Sequence, residues 1–326
     1  MHMAQITVSP EQAVDDHTLA PIRAIDPHLV VVFGPTARFL SPQLANALAL
    51  ALPDSLRMGC SSSGQIDGLS VLDHETVITG VRFREAALAL RSERVADSAD
   101  SAPAGRRLAR QLAGMSNGTF VMTIPKAPYR CPPGPYERAC IVADYLKTYR
   151  GAASKVIVLD ENASIQAERE TFTTAFGVTH AGVVQYEAGV TGIAIDPVTK
   201  VVSYLDAVGT PRTINAQVVN PIPPHRATGS SAGGWLAGAG LNNSADGRWC
   251  VVDVLSYEST AVPGIHVIGD AASCGLPKAG HVANQEAKIC ADAIVRMLAG
   301  QQPDPAPVAN SACYSPITSD TASWLT

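Results

Sequence analysis

Residues 119–160 read TFVMTIPKAPYRCPPGPYERACIVADYLKTYRGAASKVIVLD, and this stretch decides the fold. It predicts a strand at Thr119–Ile124, a helix at Tyr136–Tyr149 and a buried strand at Lys155–Asp160. The apolar residues on one face of the helix are Ala139, Val142, Leu146 and Tyr149. A strand, a helix and a strand in this order form a parallel βαβ unit. The sequence therefore predicts an α/β fold around this stretch.

Composition excludes several classes of protein. The chain has 326 residues, enough for two domains, and its 46% hydrophobic and 16% charged residues indicate a globular protein. The net charge of −5 and the lack of a basic run argue against nucleic acid as a partner. No apolar stretch approaches the roughly 20 residues of a membrane span. The first residues lack a secretory signal pattern, which gives a cytoplasmic location by default.

Cysteine and histidine spacing gives no metal signature. Seven cysteines are an odd number and none form a C-x-x-C pair, which argues against a zinc ribbon and against a disulfide-stapled scaffold. The eight histidines include no H-E-x-x-H pattern, so no metal site is expected.

The remaining pattern suggests two parts, 1–115 and 116–326. In the first, Leu29–Phe33 is expected to be a strand buried on both faces, Ser41 and Pro42 to open a helix, and Val71–Phe83 to contain two strands. A helix is expected at Gly105–Leu112 before the style of the sequence changes near residue 115.

The second part continues beyond Asp160 with short elements. Short strands are expected within residues 183–220, a further strand at Ile265–Ile268, and a helix at Asn284–Leu298 closed by Gly300. This pattern supports one larger α/β region from residue 116 onward.

Cys131 is the strongest candidate for chemistry. It lies between the first strand and the start of the helix, where backbone amides and the helix dipole are expected to lower the pKa of a thiol. Arg130 adds positive charge beside it. The alternative is a structural cysteine in a turn.

Two downstream stretches could hold a ligand. Gly269 and Asp270 follow an apolar strand-like run, where glycine permits close approach and the acid can accept hydrogen bonds from ligand hydroxyls. Residues at the expected start of the last long helix can face an electron-rich group, and these are Lys278, His281, Asn284 and Gln285. The alternatives are a capped turn and ordinary helix capping with Asn284 as the N-cap.

Two further stretches bear on ligand binding. Asp160 stands where a nucleotide-binding βαβ unit places a ribose-binding acid, but the preceding turn has no G-x-G-x-x-G and is rich in proline, which disfavours nicotinamide binding. Residues 59–64 contain no G-x-S-x-G nucleophile motif, so a small-residue turn that lines a ligand pocket is expected there.

Residues 117–315 resemble the flavoprotein subunit of flavocytochrome c sulfide dehydrogenase, a relative of sulfide:quinone oxidoreductases. The motifs that carry the resemblance are 130–139, 155–160, 222–227, 264–271, 277–281 and 313–315. The resemblance implies a redox-active disulfide between Cys131 and Cys313, with FAD contacted by Gly269, Asp270, Lys278, His281 and Asn284. It also implies sulfide as substrate, a cytochrome as electron acceptor and a periplasmic location.

Residues 24–112 resemble the start of a FIST sensory domain, which implies small-ligand binding. The fold class expected is thus a partial FIST-like α/β region followed by a truncated FAD/NAD-linked disulfide-oxidoreductase-like region. Because the dinucleotide fingerprint is missing, three hypotheses stand: an FAD-dependent sulfide oxidoreductase, a small-ligand sensor, and an inactive fusion that does not hold FAD.

Overall fold

The structure is a computed structural model that describes residues 2–61, 65–67, 70–72, 74–84, 101–151, 153–227 and 234–325. It divides into two compact units, Met1–Arg94 and Val95–Thr326. This division lies earlier in the chain than residue 115, where the sequence pattern changes. The assignment of 1–115 and 116–326 as domains stays a prediction.

The first unit is a small α/β fold. Its strands are β1 (His2–Val8), β2 (Leu29–Gly34), β3 (Leu56–Ser61), β4 (Gln65–Asp67), β5 (Ser70–Leu72) and β6 (Thr76–Arg82), and its helices are α1 (Ala20–Arg23), α2 (Thr36–Phe39) and α3 (Gln43–Ala51). Among the described residues, four strands pair in the order β1-β6-β2-β3, with β2 and β3 parallel, and β4 pairs with β5. The strands expected within 71–83 are therefore present.

One sequence expectation about β2 is wrong. Val30 and Val32 are buried against α1 and α3, but Phe33 is 42% exposed, so β2 buries one face and not two. Its apolar run reflects strand propensity as well as burial. Where β2 pairs with β3, a Cβ on Gly59 would lie 2.1 Å from the carbonyl oxygen of Val32, so this register requires glycine.

The second unit is built on the predicted βαβ stretch. Its helices are α4 (Ser101–Ala113), α5 (Gly134–Tyr149), α6 (Arg169–Thr174), which runs into a π-turn at Ala175–Thr179, α7 (Trp235–Gly238) and α8 (Gly280–Leu298). Its strands are β7 (Thr119–Ile124), β8 (Lys155–Asp160), β9 (Val184–Ala188), β10 (Thr191–Ile195), β11 (Val201–Leu205), β12 (Pro211–Asn215), β13 (Val218–Pro221), β14 (Cys250–Val251), β15 (Ala272–Ser273), β16 (Cys313–Pro316) and β17 (Ala322–Leu325).

A parallel sheet organises this unit. Its described strands run in the order β13-β7-β8-β9, and every neighbouring pair is parallel. Phe120 and Met122 face α5, while Val121 and Leu159 face the antiparallel β10-β11-β12 meander. Alternate residues of β7 thus enter two cores, which explains its continuous apolar sequence. The predicted parallel βαβ unit is confirmed.

Two expectations in the last part of the chain are wrong. Ile265–Ile268 is not a strand: His266 makes one isolated bridge to Glu258, and Ile265 and Ile268 are each about 40% exposed. The last long helix begins at Gly280, so Asn284 lies in its second turn and is not its N-cap. Ile265–Ile268 is apolar, but it lies beside a turn and has no partner strand among the described residues. Gly280 and His281 are part of the last helix, which therefore begins four residues earlier than predicted.

Candidate active site

The site begins at a crevice between β7 and β13. The chain runs from β7 through β8 to β9 on one side, while β13 returns to the other side of β7. Ligands of open parallel sheets bind outside the carboxyl ends of strands at such a switch point. A cavity of about 620 Å³ lies there, lined by Tyr129, Arg130, Cys131, Pro221, Pro223 and His225 together with the first two turns of α5.

Backbone contacts fix Cys131 in the lining of this cavity. Its φ is 51°, in the left-handed region that few residues other than glycine adopt. Its N–H donates to the carbonyl oxygen of Lys278 at 2.6 Å, and its own carbonyl accepts the N–H of Gly134 at 2.9 Å. A Cβ on residue 134 would lie 2.9 Å from the sulfur of Cys131, so Gly134 leaves room for that sulfur beside the helix start.

The electrostatics of Cys131 differ from the sequence expectation. The residue has exposed surface, yet burial of its sulfur by the surrounding protein raises the pKa of the thiol. The amide of Gly134 and the charge of Arg130 lower that pKa, whereas Glu137 and Cys313 raise it. The prediction of a lowered pKa was wrong because desolvation outweighs the helix start and Arg130.

We expect the alkylation of Cys131 by iodoacetamide to need a higher pH than that of an ordinary thiol. Glu137→Gln removes a charge that raises the thiol pKa, so it should move the midpoint of the pH profile downward, and Arg130→Gln should move it upward. Peptide mass spectrometry at a series of pH values measures both shifts. Glu170→Gln on the exposed surface of α6 is the control, and an unshifted Glu137→Gln profile would contradict this electrostatic arrangement.

The structure places Cys313 in the same region of the second unit as Cys131. Both cysteines are free thiols, and the charge of Cys313 is one of the smaller causes that raise the pKa of Cys131. Cys313 opens β16, which pairs with β17 in a hairpin that the sequence did not reveal. The carboxylate of Glu168 holds both strands, because it accepts from Ser315 Oγ at 2.7 Å and from Ser323 Oγ.

Two further contacts hold the hairpin against α5 and the turn after α6. The N–H of Ser319 donates to Asp144 at 3.0 Å, and His180 Nε2 lies 2.8 Å from the carbonyl oxygen of Ile317. Burial lowers the pKa of His180, so its neutral ring can donate to that carbonyl. Sequence reasoning missed these anchors, since polar residues scattered over 144–180 carry no local motif.

Lys278 is a positioning residue in this structure. Its Nζ donates to the carbonyl oxygens of Asp270 at 2.9 Å and Ala272 at 2.6 Å, and it lies 3.9 Å from the ring centroid of Trp249. Burial lowers its pKa. Together with the bond from its carbonyl to Cys131, these contacts join the cysteine turn to the turn at Gly269 and Asp270.

Gly269 and Asp270 already have protein partners. Gly269 has a φ of 74°, and its N–H donates to the buried carboxylate of Glu286. The Asp270 carboxylate lies 3.3 Å from Arg130 Nε, and Arg130 N–H donates to His225 Nδ1 at 3.1 Å. Asp270 therefore lies beside the Cys131 turn. Glu286 was missed, although an acid on the apolar face of α8 signals a buried interaction.

The start of α8 can still receive a ligand. His281 and Asn284 are exposed, and no side chain caps the helix, whose N-cap is Ala279. The first amides of such a helix favour an electron-rich group. Among the described residues, neither His281 nor Asn284 forms a hydrogen bond or an ion pair with Cys131, and their cofactor-binding role stays a prediction.

Asp160 is not accessible to a ligand. It is fully buried, and its carboxylate accepts from Tyr136 Oη and Tyr186 Oη, each at 2.8 Å. Asn162 donates its N–H and its side-chain amide to the other oxygen, at 2.8 and 2.7 Å. The position that suggested ribose binding is thus a structural hydrogen-bond centre.

These observations test the fit to FAD. The uncapped amides at the start of α8 suit the ring end of a flavin, whereas Gly269 and Asp270 already pair with Glu286 and Arg130. The turn after β7 contains prolines at 125, 128, 132 and 133, which have no N–H to donate to a phosphate. Asp160 is fully buried and cannot contact a ribose. Among the described residues, the second unit fits the ring end of the cofactor but not its ADP half.

Residues 106–223 match the family model described as the central part of the sulfide dehydrogenase (flavocytochrome c) flavoprotein chain. The matched residues include β7, α5, β8 and β13, which frame the crevice, while Cys313 and the turn at Gly269 lie beyond them. The model covers about a third of the chain.

Solved structures share the fold. The sulfide:quinone oxidoreductase of Aquifex aeolicus is 16% identical, with a TM-score of 0.53 over 65% of this chain and 51% of that one. A chain in the mitochondrial ATP synthase of Tetrahymena thermophila is 14% identical, with a TM-score of 0.52 over 66% of this chain and 51% of that one. This chain therefore spans about half the length of each of these two solved chains. The predicted α/β fold of the second unit, which resembles that of disulfide oxidoreductases, is confirmed, while the FIST-like assignment stays a prediction.

Among the described residues, no helix has the length and apolar character needed to cross a membrane. That part of the chain also contains no group of three potential metal ligands.

Proposed function

We propose that the second unit belongs to a flavin-dependent oxidoreductase that acts on sulfur compounds, with sulfide as its substrate and Cys131 and Cys313 as its redox pair. The observation that supports it most is that Cys131 lines a switch-point crevice while Cys313, far away in the sequence, is near enough for its charge to raise the pKa of Cys131. The match to a sulfide dehydrogenase flavoprotein over residues 106–223 adds the class of reaction.

The chemistry of the pair is thiol–disulfide exchange. Hydrosulfide attacks one sulfur of a Cys131–Cys313 disulfide, a new S–S bond forms, the old one breaks, and the second cysteine leaves as a thiolate. The attacked cysteine then carries a persulfide that holds the substrate sulfur. When bound, FAD supplies a two-electron acceptor that can release electrons singly to a cytochrome.

The protein contributes position and charge to this exchange. Hydrogen bonds with Lys278 and Gly134 fix the backbone of Cys131. Cys313 lies on β16 of the hairpin, which Glu168 holds in place. Arg130 lies at the cavity, where its positive charge favours entry of the hydrosulfide anion and stabilises a thiolate on Cys131.

The experiment is persulfide trapping on the full chain. After mild oxidation, sodium sulfide should place one extra sulfur on the peptide of Cys131 or Cys313, detected by mass spectrometry after alkylation. Cys313→Ser should abolish this product, and Cys140→Ala should retain it because the Cys140 thiol is buried and its pKa is raised to about 12. Equal persulfide in Cys313→Ser, or none in the wild-type chain, would overturn the proposal.

The hold of this chain on FAD should be weak. A phosphate-binding turn normally supplies several charge-assisted hydrogen bonds, each worth roughly 1.5–3 kcal/mol. Dialysis is expected to remove added FAD, as followed by visible absorption, and a flavin band that persists would contradict this expectation.

A further inference from the structure

A second candidate site lies in the first unit. A cavity of about 220 Å³ is lined by the apolar side chains of Val32, Phe39, Leu44, Leu48 and Met58. Arg38, Ser41 and Arg57 supply its polar groups, and Gly59 belongs to its wall. A neighbouring cavity of about 380 Å³ shares Arg38, Ser41 and Leu44, so these residues stand between two spaces.

Both arginines have charge that the protein leaves uncompensated. Arg38 donates to the carbonyl oxygens of Ser9 and Gln12, and Arg57 donates to that of Leu52 at 2.6 Å. In the described part of the chain neither pairs with a carboxylate, whereas Arg23 and Arg82 of the same unit each do. The Nε of Arg38 is buried and has no hydrogen-bond partner. A buried donor without a partner is costly and favours an acceptor supplied from outside.

The lining selects one ligand chemistry. Two guanidinium groups match a carboxylate, which they can bind with paired N–H donors. Five apolar side chains favour an aliphatic body and disfavour a multiply charged anion, which would lose its hydration against them. The described lining contains no carboxylate that could bind the ammonium group of an amino acid.

We propose that this cavity binds a short-chain aliphatic monocarboxylate, with Arg38 and Arg57 holding the carboxylate and Leu44 and Leu48 contacting the alkyl chain. The site belongs to the first unit and is independent of the sulfur chemistry proposed for the second. It gives the first unit a ligand class that its sequence does not specify.

Calorimetry with sodium butyrate and the full chain tests the proposal. Butyrate should show a single saturable site, while butyramide of nearly the same shape and butylammonium of opposite charge should bind at least about tenfold more weakly, because each charged hydrogen bond contributes roughly that factor or more. Arg57→Gln and Arg38→Gln should each weaken butyrate binding to a similar degree. Arg23→Gln, which removes an arginine outside the cavity lining, should leave it unchanged.

A variant that fills the cavity tests the proposal independently, even if the arginine variants do not fold. Ala45 lines the cavity and is exposed, so Ala45→Phe can occupy the space without disturbing the core, and it should abolish butyrate binding with an unchanged circular dichroism spectrum. No saturable heat with the wild-type chain, equal binding of butyramide, or full binding by folded Ala45→Phe would each overturn the proposal.

Discussion

Oxidation is expected to raise the free energy of unfolding of the second unit by about 2–5 kcal/mol in the wild-type chain and by nothing in Cys313→Ser. A bond between Cys131 and Cys313 would close a long loop that spans most of that unit, and long loops restrict the unfolded chain strongly. The charge of Cys313 raises the pKa of Cys131, so the two cysteines lie in the same region of the second unit.

Tryptophan fluorescence during urea unfolding measures this effect selectively. All three tryptophans, Trp235, Trp249 and Trp324, lie in the second unit, so the signal reports on that unit alone. Thiol titration should show two thiols lost on oxidation of the wild-type chain. Cys140→Ala, which removes a buried thiol of α5, should keep both effects, and an oxidised wild-type chain with the stability of Cys313→Ser would exclude the pair.

The second large effect is expected at Asp160, where Asp160→Ala should lower the free energy of unfolding of the second unit by about 3–5 kcal/mol. The substitution leaves the hydroxyls of Tyr136 and Tyr186 and two donors of Asn162 without their acceptor, and a buried unsatisfied donor costs about 1–3 kcal/mol. Some of these groups can find new partners, which keeps the total below the simple sum. Among single substitutions this is a large loss.

The same fluorescence measurement compares Asp160→Ala with two variants. Tyr186→Phe removes one donor together with its need for an acceptor and should cost only about 0.5–1.5 kcal/mol. Asp196→Ala removes an exposed turn acid that accepts the N–H groups of Val198 and Thr199, and a comparable small loss is expected. If Asp160→Ala were no more harmful than Asp196→Ala, the carboxylate would not be the centre of the buried network.

The sequence predicted those parts of the fold that depend on local periodicity. β7 and β8 have the predicted ends, and α5 begins two residues before its predicted start, because a doubly buried strand and an amphipathic helix each leave a regular apolar pattern. Ile265–Ile268 has the same apolar character but makes only one bridge, since strand formation also needs a partner that sequence does not specify.

The site was predictable in its residue types but not in its contacts. A cysteine at a strand-to-helix turn indicated Cys131, yet the sign of its pKa shift depends on how much protein surrounds the sulfur, which is a property of tertiary packing. Likewise, Asp160 ends a strand in the position of a ligand-binding acid. Only the positions of Tyr136 and Tyr186 in three dimensions show that its oxygens are already occupied.

The hydrogen bond from Cys131 N–H to the carbonyl of Lys278 has a thermodynamic consequence. This bond joins the backbone of Cys131, which has a positive φ, to Lys278 just before α8. A change in the conformation of either residue therefore alters the conformational free energy of the other. An occupant at the start of α8 that favours one arrangement of Lys278 would shift the balance between the thiol of Cys131 and its proposed disulfide with Cys313. By reciprocity, the redox state of the cysteine pair would change the affinity for that occupant by the same factor.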